Sequence, residues 1–200
     1  MLDSEQGIIC AVRAHGENGA IVRTLTAGGG MRAGFVQGAR GRALRPVLIP
    51  GNIVMGEWRS RISGQLASMT AELQHSRGHL LGEPLATAAM EWACALSAAT
   101  LPEEYPYPRL YGALDGLLSA VELSPAARGW APSMARYETL LLSELGYGGG
   151  VYDEAEGTAA ALKAMAANRQ ALIVHILGDR KAEVIAARER LVDRLKRAVA

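Results

Sequence analysis

The sequence predicts an α+β chain in two domains, a small closed β-barrel over residues 1–78 and an all-α helical bundle over residues 79–200. Three observations predict it. Five short runs rich in β-branched residues, bounded by Gly, Asn or Pro, crowd into fewer than eighty positions at the start of the chain. From Leu80 onward Ala and Leu dominate, and apolar residues recur at helical rather than alternating spacing. Charge is segregated as well. The net charge of +1 conceals +4 over residues 1–80, −8 over 81–160 and +5 over 161–200. Such a split speaks to partners more than the total does.

The strand runs are 7–14, 20–26, 30–37, 52–60 and 65–73, with His15-Gly-Glu-Asn-Gly19 as a hairpin loop between the first two. Residues 38–51 read as a loop or short helix closed by Pro46 and by Pro50-Gly51. Five closely spaced short strands suit a closed barrel better than a sandwich, and the oligonucleotide-binding (OB) fold is the natural candidate. In the second part, 83–99 is helical with Pro84 in the first turn, where its missing N–H costs little. The proline-punctuated stretch 100–108 connects it to a helix over 109–121, and Ser124-Pro125 opens a turn. A helix over 133–145 carries Met134, Tyr137, Leu141 and Leu145 on one side and stops at Gly146, the residue suited to a left-handed cap. Gly148-Gly-Gly150 is a break. Residues 155–177 read as two helices interrupted near Asn168, and 179–198 as the last. There Val184, Leu191 and Leu195 share a face, Arg190, Arg194 and Arg197 another, and Arg188 falls inside the apolar stripe, where its stem would have to snorkel out.

One stretch stands out chemically. Gly28 to Arg45 contains Arg32, Arg40, Arg42 and Arg45, six glycines and no acid. A strand leading into an unopposed arginine loop suits a phosphate-facing surface, because the planar guanidinium can engage two oxygens together. The bland reading is a solvated turn that happens to be basic. Cys10 and Cys94 sit among apolar neighbours and read as buried, reduced thiols. Asp3 and Glu5 stand where a secretion signal would be basic, and no stretch approaches the length of a membrane span, so a cytoplasmic protein is expected.

The order of these features resembles the bacterial DNA repair protein RecO family of recombination mediators. The likeness runs through Gly7-Ile-Ile-Cys-Ala-Val-Arg-Ala-His-Gly-Glu17, Gly34-Phe-Val-Gln-Gly-Ala-Arg-Gly-Arg42 and Leu44-Arg-Pro-Val-Leu-Ile-Pro-Gly51. It continues in Arg136-Tyr-Glu-Thr-Leu-Leu-Leu-Ser-Glu-Leu-Gly-Tyr147 and Ala187-Arg-Glu-Arg-Leu-Val-Asp-Arg-Leu195. The resemblance implies an N-terminal OB-fold, a helical domain for protein contacts and a role without catalysis. It implies binding of single- and double-stranded DNA and annealing of complementary strands. It also implies work with RecR to load RecA on DNA coated by single-strand-binding protein, whose acidic C-terminal tail the family recognises. Many relatives carry a four-cysteine zinc finger after the Glu-Leu-Gly-Tyr signature. Here no cysteine follows Tyr147, and His15, His75, His79 and His175 are scattered, so no structural zinc and no cofactor are expected.

The DNA-binding set expected from this reading is Arg32, Arg40, Arg42 and Arg45, with Arg59 and Arg61 on the next strand and turn. For base stacking the barrel offers only Phe35, which reads as core, and Trp58, whose face depends on register. Arg109, Arg128 and Arg136 are candidates for the partner's acidic tail. Catalysis finds little support: Gly28-Gly-Gly30 lacks the Lys-Ser/Thr of a phosphate loop, no Gly-x-Ser-x-Gly is present, and no small-molecule substrate is implied. An RNA-binding OB protein is the alternative, since phosphates look alike. The acidic helical part and its Glu-Leu-Gly-Tyr signature favour the recombination mediator.

Overall fold

The computed structural model describes residues 2–60, 64–124, 126–148, 157–178 and 182–199. Strands β1 (Leu2–His15), β2 (Gly19–Thr26), β3 (Gly30–Val36), β4 (Ile53–Arg59) and β5 (Ser68–His75) close into a barrel in the order β1-β2-β3-β5-β4. Neighbours are antiparallel except β3 and β5, which run parallel where Phe35 faces Ser68. This is the five-stranded OB arrangement the strand spacing predicts. The fifth strand starts at Ser68 rather than residue 65, because Gln65–Ala67 are still approaching the barrel; the Ala67 carbonyl accepts from Phe35 N–H at 2.8 Å.

A long β1 closes the barrel by serving two partners. Its first half pairs with β4 (Leu2 opposite Arg59 through Ile8 opposite Ile53) and its second half with β2. An irregularity between Ile9 and Ala11 lets the strand bend from one to the other. Inward-facing Ile9, Ala20, Val22, Val36, Val54, Trp58 and Met69 form the barrel core. Alternation along β2 is regular there, with Ala20 and Val22 buried and Ile21 and Arg23 half-buried on the outer face.

The connection after the first helix returns to this barrel. The barrel unit comprises the chain to His79 together with Leu101–Tyr111, and the other unit comprises Leu80–Thr100 with the chain from Gly112 onward. Glu103 bridges Met31, Glu104 N–H donates to the Met31 carbonyl at 3.0 Å, and Arg23 donates to the Leu101 carbonyl at 3.3 Å. Gly30 permits this approach: its φ is +72° and a Cβ there would overlap the Tyr105 backbone. A Gly30→Ala substitution combines a left-handed conformation, disfavoured by about 1–2 kcal/mol, with a backbone overlap. We expect it to lower the urea midpoint of the barrel, followed by Trp58 fluorescence, by more than the left-handed penalty alone requires.

Among the described residues the helical unit holds five α-helices in chain order: α1 (Pro84–Thr100), α2 (Pro108–Leu123, whose first turn belongs to the barrel unit), α3 (Ala131–Glu144), α4 (Gly157–Ala171) and α5 (Ala182–Val199). The signature at the end of α3 is a helix stop. Gly146 is left-handed at φ +82°, its N–H donates to the Ser143 carbonyl, and Tyr147 N–H reaches back to Leu142. That is the paired 5→2 and 6→1 bonding of a Schellman cap, with glycine where expected. Two expectations are corrected. Residues 157–177 run without a break at Asn168; the winding changes only at Leu172–Leu177, to a π-type turn. Asn168 is instead buried, donating to Thr139 Oγ1 at 3.1 Å and Glu138 Oε2 at 3.5 Å.

Arg188 does not snorkel: it is 1 % exposed. Its guanidinium forks onto Glu138, with Nε–Oε1 and Nη2–Oε2 both 3.1 Å, and also donates to the Met165 carbonyl. Trp92 Nε1 donates to the same carboxylate at 2.9 Å. Burial pushes the Glu138 carboxyl up from its ordinary value of 4.5, against Arg188, Trp92 and Asn168, which pull it down. All four bonds to this carboxyl come from donors, so the pocket is shaped for the carboxylate. Helices α1, α3, α4 and α5 thus meet on one charged centre.

Candidate nucleic-acid interface

The basic loop owes its shape to Asn52. This side chain is fully buried and spends both amide protons on the carbonyls of Pro46 and Val47, at 2.9 and 3.0 Å. Its Oδ1 accepts from Arg77 N–H at 2.8 Å, and Arg77 Nη1 donates to the Gly51 carbonyl at 2.8 Å. Between Gly38 and Leu48 the chain winds in short turns, with Leu44 and Arg45 N–H both reaching the Gly41 carbonyl and Leu48 N–H reaching Leu44. Ala39 and Leu48 enter the barrel core, with Leu44 and Val47 packed against it. Apolar residues therefore pin the loop from below while Arg40, Arg42 and Arg45 project into solvent. Among the described residues no acid pairs with these three, and Arg45 Nε ties the loop to itself by donating to the Arg40 carbonyl at 2.9 Å.

The other expected phosphate ligands are placed differently. Arg32 belongs to the inward row of β3, opposite Thr24. Its guanidinium lies 4.3 Å from the centroid of the Trp58 ring and pairs with Asp3 at 2.6 Å. It therefore serves as a half-buried structural cation more than as an open one. Arg59 is exposed but shares its charge with Glu57 at 3.4 Å, and Arg61 lies outside the described residues.

The base-stacking expectation for Trp58 is corrected. The indole is 2 % exposed, and it fills space left inside the barrel by Gly34 and Gly56, where any Cβ would collide with it. With Arg32 over one face, the ring has no open face for a base. Phe35, expected in the core, lies on the outer face of the sheet instead. It is half-buried against Gly19 and edge-on to His15, with ring centroids 6.0 Å apart. Strand alternation carries the signal that distinguishes the two rings. Phe35 stands opposite outward-facing Ile21, whereas Trp58 shares the inward parity of Val54.

The candidates for an acidic partner tail are all exposed but do not share an element. Arg109 lies in the first turn of α2 within the barrel unit; Arg128 lies in the short 3-10 turn Ala127–Gly129, and Arg136 lies in α3. Among the described residues no group of three or more His, Cys, Asp or Glu is placed to hold a metal ion. The stretch 149–156 lies outside them. No helix among them is long and apolar enough to cross a membrane.

Two family models match the chain in succession. Residues 1–77 match the model of "Recombination protein O N terminal" and residues 81–199 that of "Recombination protein O C terminal". The DNA repair protein RecO of Rhodospirillum rubrum is 41 % identical over 150 residues, covering 72 % of this chain and 59 % of that protein. Its counterpart in Gluconacetobacter diazotrophicus is 38 % identical over 144 residues, covering 70 % and 57 %. That of Caulobacter vibrioides NA1000 is 37 % identical over 145 residues, covering 72 % and 58 %. The matched region thus spans less than two thirds of these relatives' length. With a five-stranded OB barrel and a helical part ending α3 in Glu-Leu-Gly-Tyr, each matched over nearly its full extent, the chain belongs to the Recombination protein O family.

Proposed function

We propose that this chain is a DNA-binding recombination mediator in DNA repair, acting without catalysis by gripping sugar–phosphate backbones and annealing complementary strands. The observation that carries this reading is the anchored loop, which offers Arg40, Arg42 and Arg45 to solvent with no acid paired to them among the described residues. Phosphate contacts of this kind give affinity without reading sequence. The family's partners are part of the proposal: RecR, and the acidic tail of single-strand-binding protein, for which Arg128 and Arg136 on the helical unit and Arg109 at the start of α2 are the candidate cations. Loading of RecA would result from the two activities together, with the work confined to the cytoplasm and nucleoid.

The test is the salt dependence of binding to a labelled oligonucleotide, run beside an annealing assay with and without single-strand-binding protein. Each phosphate neutralised on a single strand contributes about −0.7 to the slope of log K against log salt. Replacing Arg40, Arg42 and Arg45 together by Ala is expected to flatten the slope by about 2 and to slow annealing. Replacing Arg32 should change the slope little, because its charge is already held by Asp3. An unchanged slope in the triple variant would remove this loop from the interface.

A further inference from the structure

The outer face of β1–β3 carries a feature that backbone gripping does not require. Arg13, Ile21 and Phe35 are directly opposite one another in register and so stand side by side on one face. Their neighbours Ala20, Val22 and Val36 point the other way, into the core. The Phe35 ring lies over Gly19, where any Cβ would strike it, and His15 meets it edge-on at an interplanar angle of 80°. His15 and Arg13 are exposed, and among the described residues no acid pairs with Arg13. Glu17, in the hairpin turn, is the acid nearest in sequence. Two residues beyond Phe35 the strand passes into the basic loop.

The face is bounded. Towards Met31 it is covered by Leu101–Tyr105, and there Arg23 is neutralised by Glu103 at 3.5 Å. Among the described residues, half-buried Phe35 with exposed His15 against it, and an arginine without an acid partner beside them, therefore remain at the end nearest the β1–β2 hairpin. Rings held in this way suit flat, apolar, π-bearing partners, and the neighbouring cations suit a chain of phosphates. A duplex keeps its bases stacked on one another; a single strand has them free.

We propose that Phe35 and His15, flanked by Arg13, form a stacking platform for the unpaired bases of a single DNA strand whose phosphates run on to Arg40 and Arg42. This rests on the proposed nucleic-acid binding and adds to it a preference for single strands. The alternative is that the ring pair only staples the hairpin.

The experiment uses the full chain with an oligothymidine strand and with a blunt duplex of equal length. Phe35→Trp supplies a direct reporter, because Trp58, Trp92 and Trp130 are all buried; its emission is expected to be quenched on single-strand binding and not on duplex binding. Phe35→Leu and, separately, the exposed His15→Ala should each weaken single-strand binding about tenfold with salt slope and duplex affinity unchanged. Unchanged single-strand affinity in both variants, or an equal loss on single strand and duplex, would overturn the platform while leaving the phosphate grip standing. Absence of salt-dependent binding in the unaltered chain would instead sink the proposed function, and the platform with it.

Discussion

Replacing Arg188 by Ala is expected to destabilise the helical unit by about 3–5 kcal/mol, the largest single effect the structure implies. The substitution leaves the Glu138 carboxylate in a fully buried site with only Trp92 and Asn168 donating to it, and the Met165 carbonyl loses a donor. Glu138→Ala should be comparably damaging, since it strands a guanidinium that is 1 % exposed. The paired replacement Glu138→Leu with Arg188→Met behaves differently, because removing both charges also removes both desolvation penalties. That double variant should recover part of the loss, the Trp92 N–H and the Met165 carbonyl still lacking their partners. Urea denaturation read at Trp92 and Trp130 provides the measurement. A double variant as unstable as the sum of Glu138→Leu and Arg188→Met made singly would mean that the pair is not the coupled unit its geometry describes.

The second large effect is expected at Asn52. Asn52→Leu takes a donor from two carbonyls and an acceptor from the Arg77 N–H, in a side chain with no exposure. Each orphaned buried group costs roughly 1–3 kcal/mol, so a loss of about 3 kcal/mol allows for water reaching some of them. Asn52→Asp keeps the shape yet turns two donors into an acceptor facing two carbonyls, and should be worse still. Both variants should also reduce the salt slope of DNA binding without removing a positive charge, because Arg40, Arg42 and Arg45 would no longer be held together. Amide hydrogen exchange over residues 38–51 distinguishes this from global unfolding: protection should fall there first. A slope and exchange pattern matching the unaltered protein would show that the loop keeps its shape without its anchor.

Elements of strong local pattern were legible from residues alone. Alternation in β2 and β3, the proline at the start of α1 and the Gly146 stop each act within a few positions, and each is found where its chemistry puts it. The basic loop was legible too, because a run of arginines without acids is visible in one dimension. What escaped depends on distant partners. Arg188 and Glu138 are 50 residues apart, so helical periodicity marks Arg188 as misplaced without revealing the carboxylate that receives it. Arg32 reads as one more phosphate ligand until Asp3, 29 residues earlier, is seen at its side. Trp58 turns inward and Phe35 outward for the same reason: the parity of each strand relative to the closed sheet decides which ring faces the core.

The return of Leu101–Tyr105 to Gly30 and Met31 bears on how the barrel behaves when severed from the helical part of the chain. A fragment stopped at His79 contains all five strands but lacks the strap that bonds to Met31 and Arg23, leaving the Met31 carbonyl and the Arg23 guanidinium without those partners. Such a truncation should be prone to self-association through the uncovered stretch of β3 at Met31, whereas a version carrying residues 101–111 on a tether should stay monodisperse. The barrel is contiguous in sequence only in its strands; its finished surface is assembled from two stretches separated by a helix.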